Sequence, residues 1–230
     1  MSSELVQAAK DGNLPVIKRI IYPGWVYPRM VLSQFYNKSN LDIRKTIVEF
    51  VGVYGIDLDA NEYGWTALYE ASKKGKPNCV EILLKFGANV NATNKEGQTA
   101  LHSASVQGNA DCVELLLKFG ANINTIADNG QTALHWASYV GKTNCVEILL
   151  KNGATPNATN KFGETPLHYA SQQGKPNCVW ILLKNGANPN TSNKHGETAL
   201  LIASRTHHSR CMRILLGAGA DPFMRDSYTA

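Results

Sequence analysis

The stretch Asn61–Asn91, NEYGWTALYEASKKGKPNCVEILLKFGANVN, decides the fold, because the chain goes on to repeat it. Gly64, Gly97, Gly130, Gly163 and Gly196 succeed one another at intervals of 33 residues, inside GWTALYEA, GQTALHSA, GQTALHWA, GETPLHYA and GETALLIA. Behind them run CVEILLKFGANVN, CVELLLKFGANIN, CVEILLKNGATPN, CVWILLKNGANPN and CMRILLGAGADPF. A fixed period of this length marks a stacked array, in which each unit buries its apolar face only against its neighbours.

The unit reads as two helices and a hairpin. Thr66, Thr99, Thr132, Thr165 and Thr198 stand at the N-cap position, and Pro166 takes the favoured first helical place. Leu and Ala three residues apart (Leu101 and Ala104, Leu134 and Ala137) give a short helix with a narrow apolar stripe. Gly75, Gly108, Gly141 and Gly174 end it. CVEILLK follows as a second helix with Val, Ile and both Leu inward, and Gly87, Gly120, Gly153 and Gly186 close it before an Asn-rich hairpin. The pattern predicts an all-α solenoid.

TALH (Thr99–His102, Thr132–His135) and TPLH (Thr165–His168), with GAN-x-N at the far end of the unit, resemble the ankyrin repeat. The resemblance is dense over 61–223 and weak over 1–60. It implies an ankyrin-repeat solenoid of about seven repeats, the first two degenerate. The boundaries are 1–28 for an N-terminal capping repeat and 29–60 for a degenerate repeat. Regular repeats follow at 61–93, 94–126, 127–159, 160–192 and 193–223, with 224–230 as the start of a further repeat or a tail. Leu5–Gly12 aligns with Leu68–Gly75, and Ile47–Asp59 with Cys79–Asn91. Gly12 and Gly75 are 63 residues apart against 66 for two periods, which favours two shortened repeats over one repeat with a large loop. Because no polar terminal cap is visible after Asp221, the chain is expected to be the N-terminal piece of a longer protein.

Charge and composition narrow the function. A net charge of +5 without a long basic tract argues against nucleic acid. MSSELVQAAKDGN lacks the apolar core of a secretory signal. No run approaches the ~18–20 apolar residues a membrane span needs; Ile47–Ile56 is too short and contains Glu49. Cys79, Cys112, Cys145, Cys178 and Cys211 share one repeat position. Helices stacked ~8–10 Å apart hold such residues beyond the ~7 Å limit for a disulfide. The ladder therefore reads as buried, reduced thiols in a reducing compartment, not as a zinc site. The cytoplasm is the expected location, with the nucleus as the alternative, and a monomer is expected.

No phosphate loop, metal-ligand spacing, paired catalytic carboxylates or nucleophile elbow is present, so no catalytic residue, metal or cofactor is expected. His102, His135 and His168 stand three residues after the cap threonines, a spacing suited to a capping box; catalysis would need a nucleophile and an orienting carboxylate beside one of them. Asn91, Asn124, Asn157 and Asn190 suit turns locally, and the resemblance adds that this asparagine is a substrate for asparaginyl hydroxylases in such repeats. Asn37, Asn91, Asn157 and Asn190 begin N-x-S/T sequons, expected to stay unmodified without a secretory signal. The hairpin aspartate of the family is Asn at 61, 94, 160 and 193, with Lys95, Lys161 and Lys194 alongside. The fingers should be neutral to basic, and the partner acidic.

In ankyrin arrays the finger tips and the outer side of the first helix form a concave face. Projected here, it comprises Tyr63, Trp65, Glu70, Lys73, Ser103, Val106, Trp136, Tyr139, Phe162, Tyr169, Gln172, His195 and Arg205. Aromatic and Arg side chains carry binding hot spots, and Trp136, Tyr139, Phe162 and Tyr169 cluster in two successive units; inter-repeat packing is the other use for Trp136 or Tyr169. Trp180 replaces the glutamate of the other units on the second helix, offering a second contact surface or a packing residue for the next repeat. The resemblance thus implies a non-catalytic protein–protein interaction module, the recruiting arm of a longer adaptor such as one serving a ubiquitin ligase. Its alternative is a free-standing regulator, such as a proteasome-subunit chaperone or an inhibitor of a kinase or transcription factor.

Overall fold

The computed structural model describes residues 2–21, 58–59 and 65–224. Expectations falling on 22–57, on Asn61, Tyr63 and Gly64, and on the end of the chain at 225–230 lie outside the described residues. Among the described residues there are twelve helices in six pairs: α1 (Ser2–Asp11) and α2 (Leu14–Ile21), α3 (Ala67–Lys73) and α4 (Pro77–Lys85), α5 (Ala100–Gln107) and α6 (Ala110–Lys118), α7 (Ala133–Val140) and α8 (Thr143–Lys151), α9 (Pro166–Gln172) and α10 (Pro176–Lys184), α11 (Ala199–Arg205) and α12 (Ser209–Gly217). First helices pack on first helices and second on second, giving two layers along the array. Two isolated antiparallel bridges, Thr93 with Thr99 and Ser192 with Thr198, are the only strand-like pairing among the described residues.

The core is a set of ladders. Leu68, Leu101, Leu134, Leu167 and Leu200 line the first helices, with Ala71, Ala104, Ala137, Ala170 and Ala203 where adjacent backbones meet. Val80, Val113, Val146 and Val179 and then Leu83, Leu116, Leu149, Leu182 and Leu215 line the second helices, all fully buried. Each buried leucine contributes roughly 1.5–3 kcal/mol of transfer free energy. The inward set is narrower than the sequence suggests, since Ile82, Ile148, Leu117 and Leu150 sit only half-buried at its margin. All five cysteines are free and buried, and burial pushes the thiols of Cys112 and Cys145 up to about 11, so they stay protonated.

Each first helix opens on its threonine. The hydroxyls of Thr66 and Thr198 accept from the backbone N–H of Tyr69 and Leu201, and Thr99, Thr132 and Thr165 form complete capping boxes with His102, His135 and His168. Gly108 ends α5 at φ 81°, and a Cβ there would lie 2.6 Å from the Lys142 side chain of the next unit, so both conformation and space demand glycine. His207 stands at the same position after α11 with φ 59°, the only non-glycine residue in that region among those described. It is exposed. A left-handed non-glycine residue costs roughly 1–2 kcal/mol, so His207→Gly is expected to raise stability by about 1 kcal/mol, read as a higher urea midpoint; an unchanged or lower midpoint would count against strain at this turn.

At the N-terminal end, α1 packs directly on α3, and Gly12 abuts Lys76 just as Gly108 abuts Lys142. Asp59 accepts the backbone N–H of Asn89 at 3.0 Å, the place its counterpart Asn91 takes toward Asn122. Residues 29–60, read from the sequence as a degenerate repeat, lie outside the described residues except for Leu58 and Asp59.

Candidate functional site

The face of interest is built from the first helices and the fingers that precede them. Two rows run along it at the 33-residue step: Glu70, Ser103, Trp136, Tyr169 and Ile202, then Lys73, Val106, Tyr139, Gln172 and Arg205. The two rows differ in depth. Glu70 and Ser103, expected on the surface, are 5% and 4% exposed, because the row next to the histidine ladder is overlain by its neighbours. Trp136 and Tyr169 are half-buried, as are Trp65, Lys73 and Val106. Tyr139, Phe162, Gln172, His195 and Arg205 are exposed, Phe162 most clearly among the aromatics at 56%.

The half-buried aromatics are held in place. The Tyr169 hydroxyl accepts from Asn160 Nδ2 at 3.0 Å and from Gln131 Nε2, and its ring meets Tyr139 edge-on at 5.7 Å and His135 at 5.9 Å. Trp65 meets Tyr69 edge-on at 4.8 Å, and the Lys73 ammonium lies 4.9 Å from the Trp65 ring. Arg205 pairs with Glu197. Trp136 and Tyr169 thus serve packing as well as surface, while Tyr139, which touches Tyr169, and Phe162 are the more exposed pair. On the opposite layer, Trp180 is 52% exposed, its ring beneath the Lys184 ammonium at 5.0 Å.

Between α3, α5 and α7 the face dips into a shallow open cleft lined by Tyr69, Lys73, Gln98, Ser103, Val106 and Trp136, with His102 and Gln107 at its sides. The Trp136 Nε1 is buried and finds no hydrogen-bond partner.

Beneath this surface lies the histidine ladder. Nδ1 of His102, His135 and His168 accepts the backbone N–H of its own cap threonine at 3.1, 3.1 and 3.0 Å. Nε2 then carries the proton and donates to the carbonyl of Gln131, Glu164 or Glu197 in the next finger, at 3.1–3.2 Å. Burial holds all three imidazoles below the ordinary value, His102 and His135 at about 4. They are neutral, saturated struts between units, with no lone pair left for chemistry. Among the described residues no group of three or more His, Cys, Asp and Glu converges on a metal position.

The finger asparagines play a part that sequence spacing did not reveal. The Oδ1 of Asn94, Asn160 and Asn193 accepts two backbone N–H groups, those of Glu96 and Gln98, Phe162 and Glu164, and His195 and Glu197, at 2.8–3.0 Å. Nδ2 of Asn160 and Asn193 donates to the carboxylate of Glu164 and Glu197, at 2.9 and 3.1 Å. These residues are 6–8% exposed, so exchanging aspartate for asparagine does not strip charge from the finger surface as expected. It spares each glutamate a second carboxylate. Exposed Lys161 and Lys194 still give a basic edge, offset in other fingers by Glu96 and Asp128.

Asn91, Asn124, Asn157 and Asn190, expected as hydroxylation acceptors, work between units. Their Oδ1 atoms accept the backbone N–H of Asn122, Thr155, Asn188 and Asp221 in the following repeat, at 2.8–3.1 Å. The local turn bond comes instead from Asn89, Asn122 and Asn188, whose side chains accept from the residue two places on.

The family model for ankyrin repeats (three copies) matches this chain over residues 5–94, 86–160 and 152–226. Among solved structures, the ankyrin repeat domain of Bcl-3, described as a unique member of the IkappaB protein family, is similar with a TM-score of 0.78 and 27% identity, over 99% of this chain and 90% of that one. No curated protein sequence matches significantly. No helix among the described residues is long and apolar enough to cross a membrane.

Proposed function

We propose, from the premise that this chain belongs to the ankyrin-repeat family, that it binds a partner protein through its concave face, with Tyr139 and Phe162 as the leading contacts. Ankyrin repeats are generally protein–protein interaction modules. The observation that carries the reading is the exposure of these two aromatic side chains on one face, beside basic Lys161 and Lys194. Large aromatic rings left in water beside fixed polar neighbours are the composition of a binding hot spot. The basic finger edge favours a partner with acidic features.

Two roles suit such a module: the recruiting arm of a longer adaptor, or a regulator that acts by binding alone. The likeness to a domain of an IkappaB family member over 90% of that domain fits the second. The test is co-purification from native cells with the chain and with a Tyr139→Ala, Phe162→Ala, Gln172→Ala variant, whose fold should survive because all three side chains are exposed. The variant is expected to lose its partner by a factor of about thirty or more, as hot-spot truncation does, while Trp180→Ala keeps it. The opposite pattern would move the site to the second-helix layer. Ubiquitin-ligase subunits among the partners lost would favour the adaptor role.

A further inference from the structure

We propose that the cleft between α3, α5 and α7 is a subsite for an acidic side chain, an aspartate or glutamate carboxylate presented by the partner protein. This rests on the concave-face reading. Its motive is an imbalance of donors over acceptors in one place. The Trp136 Nε1–H is buried with no acceptor. Gln98 Oε1 already accepts from the Tyr69 hydroxyl at 3.1 Å and from Asn94 Nδ2 at 3.2 Å, so that oxygen is occupied. Its amide nitrogen has no acceptor among the described residues. Lys73 at the rim has no carboxylate within ion-pair distance among the described residues, and its ammonium rests over the Trp65 ring. His102 cannot supply the missing acceptor, because both of its nitrogens are engaged.

A buried donor without a partner is costly, and three donor groups around an apolar wall of Val106 and indole suit a carboxylate. Glu70, the acid nearest in the chain, is buried and does not line the cleft. A phosphate dianion would call for more cations than Lys73 alone. Gln107, also lining the cleft, is exposed.

The probe is a display library of random 12-residue peptides selected on the full chain. Enriched peptides are expected to share one fixed Asp or Glu, and exchanging that acid for Asn or Gln should weaken binding about tenfold, as loss of a hydrogen-bonded charge does. Trp136→Phe keeps an aromatic ring and removes the N–H, and Lys73→Met keeps the stem and removes the charge. Each should weaken the acidic peptide several-fold, and Lys73→Met should leave its amide form unchanged, with circular dichroism and urea midpoints confirming the fold. Failure to enrich acidic peptides, or acidic peptides indifferent to both changes, overturns the subsite. So does a phosphoserine peptide that binds tenfold tighter than its glutamate counterpart. Enriched peptides that ignore Trp136→Phe and Lys73→Met but are lost on Tyr139→Ala or Phe162→Ala would end this inference and leave the concave face standing. Peptides indifferent to all four changes would end both.

Discussion

Lowering the pH from 7 to 5 is expected to remove about 4 kcal/mol of folding stability through His102 and His135 alone. Both imidazoles are held at about 4 in the folded chain, against an ordinary value of 6.5, and burial is the largest cause. A folded-state value below the unfolded one means that the unfolded chain binds more protons between pH 6.5 and about 4. Stability is therefore complete above the upper limit and declines as the pH falls through the window. At pH 5 each histidine has forfeited about 2 kcal/mol of its contribution. His168 is shifted in the same direction and adds to the loss. The geometry says what protonation breaks. A proton on Nδ1 repels the cap threonine N–H that Nδ1 accepts, at 3.1 Å in both units, and puts a charge where the ring is almost wholly enclosed.

Urea midpoints at pH 7, 6 and 5 measure this, in a range where carboxylates of ordinary value are still mostly ionised. His135→Leu, the exchange the chain itself makes at Leu201, should lower stability at pH 7 and shrink the loss between pH 7 and 5 by about 2 kcal/mol. Equal midpoints at pH 7 and 5, or imidazole resonances titrating near their free value, would refute the strut reading of the ladder.

What the sequence made legible is what repeats within a unit. Threonine caps, helix-ending glycines, the Leu and Val ladders and the Thr-x-x-His boxes are all fixed by contacts four or fewer residues apart or by the period itself. What it did not show are contacts between units. Asn91 and Asn122 lie 31 residues apart in the chain, and only stacking reveals that the side chain of the first caps the backbone of the second. Depth on the concave face was equally hidden. Glu70 and Trp136 occupy the same repeat position, yet one is buried and the other half-buried. The burial of Asn160 against Glu164 shows the same thing: a polar residue in a hairpin reads as surface until its hydrogen bonds are counted.

Replacing Ser72, Ser105, Ser138 and Ser171 together by alanine is expected to stabilise the chain by about 4 kcal/mol or more. The four hydroxyls share one repeat position, each following the small alanine of the first helix, and all are 0% exposed. None has a hydrogen-bond partner. A buried hydroxyl left unpaired costs about 1–3 kcal/mol, and alanine is the better helix former by roughly half a kcal/mol. The exchange removes a single oxygen from a packed seam, so the cavity left is too small to offset the gain. Ser204 tests the cause, because it holds the same position in α11 but is exposed. Its hydroxyl is free to meet water, and Ser204→Ala should change stability only by the helix-propensity difference. Sites one repeat apart should add with little coupling, so each single exchange is expected to raise the urea midpoint and the quadruple variant to show close to their sum. A quadruple variant no more stable than the parent would mean that these hydroxyls are paired in solution, and a less stable one that the seam depends on them.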